Sequence, residues 1–219
     1  MSSSYIPKTL VEIPLKDSTE NATKRLISDF CVDIWNLTQK WMEINGKTSR
    51  LLQNLVNNRL VVLYSKKSKD QQFESDNSII QSRTFYGESV LSEDQRYELL
   101  RTIVKESEDL TRLLYEDMTG VANKLQNSRE RLKCIRKLIE TQTGNFAQSV
   151  TCREKVSILE EILPEISSMY QRELGIKKSV LKDLGIFDDR EVFMAIVASW
   201  NHEGFIDRSL LSRLYALVI

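Results

Sequence analysis

Apolar side chains recur along the first quarter of this chain in alternating steps of three and four. One set of positions reads Ile27, Ile34, Trp41, Thr48, Leu55 and Val62, and a second reads Phe30, Leu37, Ile44, Leu51 and Asn58. Such spacing puts all of them on one seam of a helix, the signature of coiled-coil packing. Asp17, followed three residues later by Glu20, supplies a capping box for its start. The pattern predicts a helix over 17–64, which at roughly 45 residues spans on the order of 65–70 Å. A small globular domain does not need that length, so it points to a coiled coil or a partner-bound rod. Gly46 is the expected kink, at about 1 kcal/mol relative to alanine.

The pattern changes on either side. Residues 1–16 carry Pro7 and Pro14, which disfavour helix, and read as an extended or disordered tail. Residues 65–91 are rich in Ser, Lys, Asp and Gln without a helical stripe, and predict a flexible linker in which Ile79-Ile80 and Phe85-Tyr86 are the candidate docking spots. Ser92 and Gln95 form a second capping box, and the stripe Leu110, Leu114, Met118, Val121, Leu125, Ser128, Leu132, Ile135, Ile139 predicts a second long helix over 92–144. A C-terminal helical unit follows over 151–219. Its first helix opens at Thr151 with Glu154, is expected to kink or restart at Pro164, and ends at Gly185. Asp188 with Glu191 is the expected cap of the next, apolar helix. Asp207 caps the last one, with Ile206 and Leu211 placed as a hydrophobic staple.

The predicted fold class is therefore all-α, with a long antiparallel coiled-coil-like helical hairpin plus a compact C-terminal helical unit. Composition agrees: 3 prolines and 7 glycines in 219 residues are too few turn formers for an all-β chain. Lys and Arg number 31 against 31 Asp and Glu, which removes the whole-chain electrostatic case for direct nucleic-acid binding or an anionic membrane surface. No stretch approaches the roughly 18 apolar residues of a membrane span, and the N-terminal residues lack the apolar core of a signal peptide, so the chain reads as soluble and intracellular. Cys31, Cys134 and Cys152 are odd in number and widely spaced, which argues against a disulfide framework or a zinc ribbon.

Candidate chemistry is sparse. Gly46-Lys47-Thr48 mimics the end of a phosphate loop, but that motif needs a glycine five residues before Gly46, where Trp41 stands, and a preceding strand. His202 is the only histidine. With no second histidine and no glycine-framed nucleophile, it reads as architecture near the end of a buried helix, beside free carbonyls. The pairs Glu160-Glu161 and Asp188-Asp189 read as solvated faces or caps, and Lys66-Lys67-Ser68-Lys69 as a solubilising run. No cofactor, metal or catalytic residue is expected. Trp41 lies on the seam with Trp35 beside it, and burying such rings stabilises a helix interface by more than the ~1.5–3 kcal/mol of an aliphatic side chain.

Three segments carry a resemblance. "DFCVDIWNLTQKWMEINGKTSRLLQNLVN" (29–57), with its W-N-L-x-x-K-W core, resembles the first helix of the cyclin-dependent kinase 2-interacting protein family. "LYEDMTGVANKLQNSRERLKCI" (114–135) is similar to that family's central helix. "MYQRELGIKKSVLKDL" (169–184), then "SWNHEGFID" (199–207), resembles its Tyr-x-x-Glu-Leu helix and the short helix that closes in Trp-x-His ahead of an aromatic–aliphatic pair. Where the family tends to have Trp-Pro, this chain has Leu163-Pro164.

The resemblance implies a non-enzymatic, mainly nuclear adaptor, with the cytoplasm as a secondary location, that associates with cell-cycle or checkpoint kinases and with the ATR-interacting checkpoint protein. It also implies an AAA+ ATPase assembly that acts in late large-ribosomal-subunit maturation and on replication proteins. The seam residues Trp35, Leu37, Trp41, Ile44, Leu51 and Leu55 are the expected contact with a helical protein partner. The C-terminal unit around Tyr170, Leu174, Trp200, His202 and Phe205 is expected to be a second docking surface or a structural cap. No proline follows a serine or threonine, so proline-directed phosphorylation is not expected. A generic coiled-coil scaffold or tether, of kinetochore, cytoskeletal or trafficking type, is the alternative.

Overall fold

The computed structural model describes residues 15–74, 91–142 and 150–219, and among the described residues every regular element is helical and none is a strand. The elements are α1 (Leu15–Glu74), α2 (Glu93–Arg112), a π turn (Leu113–Met118), α3 (Thr119–Gln142), α4 (Val150–Leu184), α5 (Arg190–His202) and α6 (Arg208–Val218). The all-α class predicted from periodicity is what the chain adopts. The expected tail up to residue 14, the docking spots Ile79-Ile80 and Phe85-Tyr86, and the helix end at Gly144 lie outside the described residues.

Several boundaries move, each for a local reason. α1 starts at Leu15, so Asp17 stands inside the first turn rather than ahead of it. The helix also runs ten residues into the predicted linker, ending at Glu74. Residues 65–74 lost their apolar stripe, but Lys, Gln and Glu are good helix formers and no Pro or Gly interrupts them. Gly46 does not break α1.

α2, the π turn and α3 follow one another without a gap. Ser92 forms the predicted capping box: its hydroxyl accepts from the Gln95 N–H at 3.2 Å, while Gln95 accepts from the Ser92 N–H at 3.0 Å. The π turn was not foreseen. Its reason lies in the stripe, which takes two successive steps of four from Leu110 through Leu114 to Met118, all buried. An α-helix rotates too far over eight residues to keep them aligned, and a wider turn takes up the difference. The Thr119 hydroxyl donates to the Leu114 carbonyl at 3.0 Å, across that turn.

α4 continues through Pro164 as one helix, so the restart expected there does not occur. A proline there costs about 3 kcal/mol relative to alanine. Ile162, Leu163 and Ile166, all buried, hold the helix against its neighbours on both sides of it. α5 is capped by Asp189, one residue later than expected, through the N–H groups of Glu191 (2.7 Å) and Val192 (3.2 Å). Asp188 is drawn away to Arg59 of α1 at 2.7 Å. α6 has its predicted cap, Asp207 accepting from the Ser209 N–H at 2.7 Å, and Ile206 and Leu211 sit half-buried against the core.

Packing runs along the length of α1. Asp33 pairs with Arg131 of α3 at 3.2 Å, and further along, Asn58 donates to Glu106 of α2 at 2.9 Å. α4 lies against α3, tied at the surface by Arg136 and Glu160 at 2.9 Å. α5 and α6 lie against both α1 and α4 and barely touch each other. Buried residues of α1, α2, the π turn and α3–α6 make one continuous apolar cluster, so the C-terminal helices share the core of the first two rather than holding one of their own.

Candidate functional site

The seam of α1 is where the candidate residues converge, and it is filled by this chain. Trp41 is 1 % exposed. Its ring meets Tyr170 of α4 edge-on with centroids 5.0 Å apart, the preferred geometry for two aromatic quadrupoles. Its indole N–H donates to Glu203 Oε1 at 3.1 Å, just past the end of α5. One heptad further on, Thr48 donates to the Asn45 carbonyl at 3.0 Å and accepts from the Trp200 indole N–H at 3.3 Å. Thr38 donates to the Trp35 carbonyl at 2.7 Å. Ser49 hydrogen-bonds Asn201. The seam's polar positions therefore satisfy themselves locally and offer acceptors to aromatic neighbours.

Of the residues expected to meet a partner, Trp41, Ile44, Leu55, Tyr170, Leu174 and Trp200 are buried within this chain. Leu37 and Leu51 are half-buried, and half-buried Trp35 meets Tyr215 of α6 in a tilted ring contact with centroids 5.0 Å apart. Phe205 alone stays exposed, at 43 %. The seam is therefore not open: a heptad names the face that must be covered, and α2, the π turn and α3 as well as α4, α5 and α6 lie against α1 to cover it. Helices α4, α5 and α6 supply part of that cover. Gly46-Lys47-Thr48 likewise has no loop character, since Lys47 pairs with Glu43 at 2.7 Å within α1.

Behind the two tryptophans lies a buried charge that periodicity did not flag. Lys177 is 0 % exposed. Its Nζ donates to the Trp200 carbonyl at 2.7 Å, pairs with Glu173 at 3.3 Å, and lies 4.9 Å from the centre of the Trp200 ring. Glu173, also buried, accepts from the Phe205 N–H at 3.4 Å. Burial pushes the Lys177 ammonium below the ordinary lysine value, against the pull of Glu173 and Glu203. Burial, and then the charge of Glu203, push the Tyr170 phenol up. The signal was present in the sequence: Glu173 and Lys177 stand four apart inside the apolar stripe Ile166, Met169, Tyr170, Leu174, Val180, Leu181.

Glu203 is the one residue other than glycine with positive φ among the described residues, at φ 45° and ψ 49°. The left-handed conformation closes α5 one residue ahead of Gly204. A Cβ on Gly204 would meet the His202 ring at 3.3 Å, so that glycine permits a close approach. His202 ends α5 exposed, and its side chain makes no hydrogen bond among the described residues, so the expected contact with free carbonyls is absent. It stands outside the cluster. Arg59 of α1 anchors the α4–α5 turn, donating to the carbonyls of Leu184 and Phe187 and lying 4.9 Å from the Phe193 ring.

Chemically, this arrangement holds helices together. Burial, opposed by Lys155, pushes the Cys31 thiol above its ordinary value, which keeps it protonated. Among the described residues no three His, Cys, Asp or Glu gather as a metal site would need, and no helix is long and apolar enough to cross a membrane. Compared with known proteins, the chain matches no family model and no curated sequence.

Proposed function

We propose that this chain is a non-catalytic helical adaptor subunit of the cyclin-dependent kinase 2-interacting protein kind. In this reading it works in the nucleus and the cytoplasm, binds a helical protein partner and an AAA+ ATPase assembly, and serves DNA replication or checkpoint signalling and late large-ribosomal-subunit maturation. One observation carries the reading. The segments that bear the resemblance are far apart in sequence, and their distinctive residues meet in one cluster: Trp41 with Glu203 and Tyr170, and Trp200 with Thr48 and Lys177. A set of motifs that is a single packed unit is what a shared ancestry of fold would preserve. In the same reading α1 with α2–α3 forms an antiparallel coiled-coil-like hairpin, which the ties Asp33–Arg131 and Asn58–Glu106 support.

Affinity purification of the tagged chain from nuclear extract, followed by mass spectrometry, tests it. AAA+ ATPase subunits and pre-ribosomal proteins of the large subunit are expected together. Recovery of kinetochore, cytoskeletal or trafficking components in their place would overturn the adaptor reading in favour of a generic scaffold or tether.

A further inference from the structure

α2 carries two apolar stripes and has a neighbour for one of them. Leu99, Ile103 and Leu110 share the face on which Glu106 takes the Asn58 bond, and so look toward α1. Even there, Leu110 in the last turn is the one residue of α2 that is buried. The second stripe is Tyr97, Leu100 and Val104, which step by three and four along another face and stand 69, 39 and 57 % exposed. α1 and the π turn are the neighbours of α2. The next layer stops at the π turn, where Lys178 of α4 lies 5.0 Å from the centre of the Tyr115 ring. An amphipathic helix buries an arc of about 100° against what it packs on, so a single neighbour leaves the second stripe in water.

The chain carries apolar side chains at the end of this same arm that can cover it. α1 ends at Glu74 and α2 begins at Glu93. Measured from the Asn58–Glu106 tie at 1.5 Å per residue, those ends lie about 24 Å and about 20 Å away, and are nearly level in an antiparallel pair. Joining level helix ends takes about 2–5 residues. Here residues 75–92 join them, and Ile79-Ile80 and Phe85-Tyr86 stand in that stretch as two apolar pairs. Bonded to the start of α2, they act on its stripe at an effective concentration on the order of millimolar, which favours them over a separate chain of similar affinity.

We propose that residues 75–90 fold back on the arm, and that Ile79, Ile80, Phe85 and Tyr86 cover the stripe Tyr97, Leu100 and Val104. The segment then gives the arm its third layer, as α4, α5 and α6 give one to the rest of α1. An apolar face filled by its own connection is not a vacant partner site. The inference rests on the antiparallel hairpin proposed above and not on the adaptor role.

Arg83 is the one tryptic position in residues 75–90. Limited trypsin treatment of the full chain, read by mass spectrometry, should cleave there about tenfold more slowly than in a synthetic peptide of residues 75–90. Leu100→Asp/Val104→Asp, at exposed positions, should restore most of the peptide rate with helical content unchanged by circular dichroism. Ile79→Ser/Ile80→Ser, which alters the segment and leaves α2 intact, should do the same against a peptide carrying the same changes. Cleavage of the wild-type chain at the peptide rate, or protection that both variants keep, overturns the proposal. Protection that is lost on dilution overturns it too, because the cover would then be a second copy. Disulfide formation in Asn58→Cys/Glu106→Cys, on Cys134→Ser, reports the hairpin separately, so its absence would place the failure there. No partner enters the assay, and the adaptor reading stands whichever way it falls.

Discussion

Trp41 and Glu203 are 162 positions apart, and the indole N–H of the first donates to the carboxylate of the second at 3.1 Å. The contact joins the middle of the longest helix to the corner that closes α5, and the acceptor holds the left-handed conformation that turns the chain there. Trp41 thereby fills the core and fixes the path of the C-terminal helices.

Trp41→Phe keeps an aromatic ring against Tyr170 and removes the donor. A hydrogen bond to a charged group contributes about 1.5–3 kcal/mol, and the smaller ring leaves a partial cavity. Urea denaturation should show a loss of roughly 2–4 kcal/mol on those grounds. Glu203→Gln, which retains an acceptor, should cost under about 1 kcal/mol. Equal losses in the two variants would mean that the hydrogen bond is not what holds the corner.

Lys177→Met removes a buried cation of similar length and leaves Glu173 uncompensated. Breaking a buried pair from one side costs about 3–5 kcal/mol, whereas replacing both members by apolar residues is often neutral. The double variant Lys177→Met/Glu173→Leu should therefore recover most of the stability lost in the single one. Additive losses in the double-mutant cycle would show that the two side chains act separately.

Tyr170 makes stability sensitive to alkali. Burial first, and Glu203 second, hold its phenol above the ordinary value of 10.0. In the unfolded chain the same group ionises near 10.0, so the unfolded state gives up its proton first and is favoured as pH rises. The stability due to neutral Tyr170 is complete below that value and drains away above it. Lys177, pushed below its ordinary 10.5, works in the opposite sense, gaining stability as pH climbs toward that value. Comparing Tyr170→Phe with the wild type isolates the tyrosine. The variant should lose less stability across the alkaline limb, and parallel curves would refute the assignment.

Gly46→Ala tests how firmly the seam is held in cis. A Cβ at Gly46 meets no atom within 4 Å, and the residue lies mid-helix. Alanine should stabilise the chain by up to about 1 kcal/mol, read as a higher denaturation midpoint. An unchanged or lower midpoint would indicate that α1 bends at this residue in solution.

Much of the architecture was legible in the residues themselves. Steps of three and four placed α1, α2–α3 and the C-terminal helices, because apolar periodicity reports which face of a helix must leave water. The caps at Ser92 and Asp207 were legible because a cap is chemistry over four residues. Less local features were not. The cap of α5 moved from Asp188 to Asp189 because Arg59, more than a hundred positions away, takes the former. The π turn follows from matching one stripe to two neighbours, and α1 outlasts its apolar pattern because propensity alone sustains its last turns.

The candidate site divides the same way. Sequence determined that Trp41, Leu55, Tyr170 and Trp200 would be buried by something. Only the tertiary structure decided that other helices of the same chain cover them, and that Lys177, Glu173 and Glu203 are drawn in behind the indoles. The physical reason is that periodicity fixes a face but not its occupant. The occupant depends on the reach and handedness of the connections, such as the turn at 185–189 that returns α5 to the groove between α1 and α4.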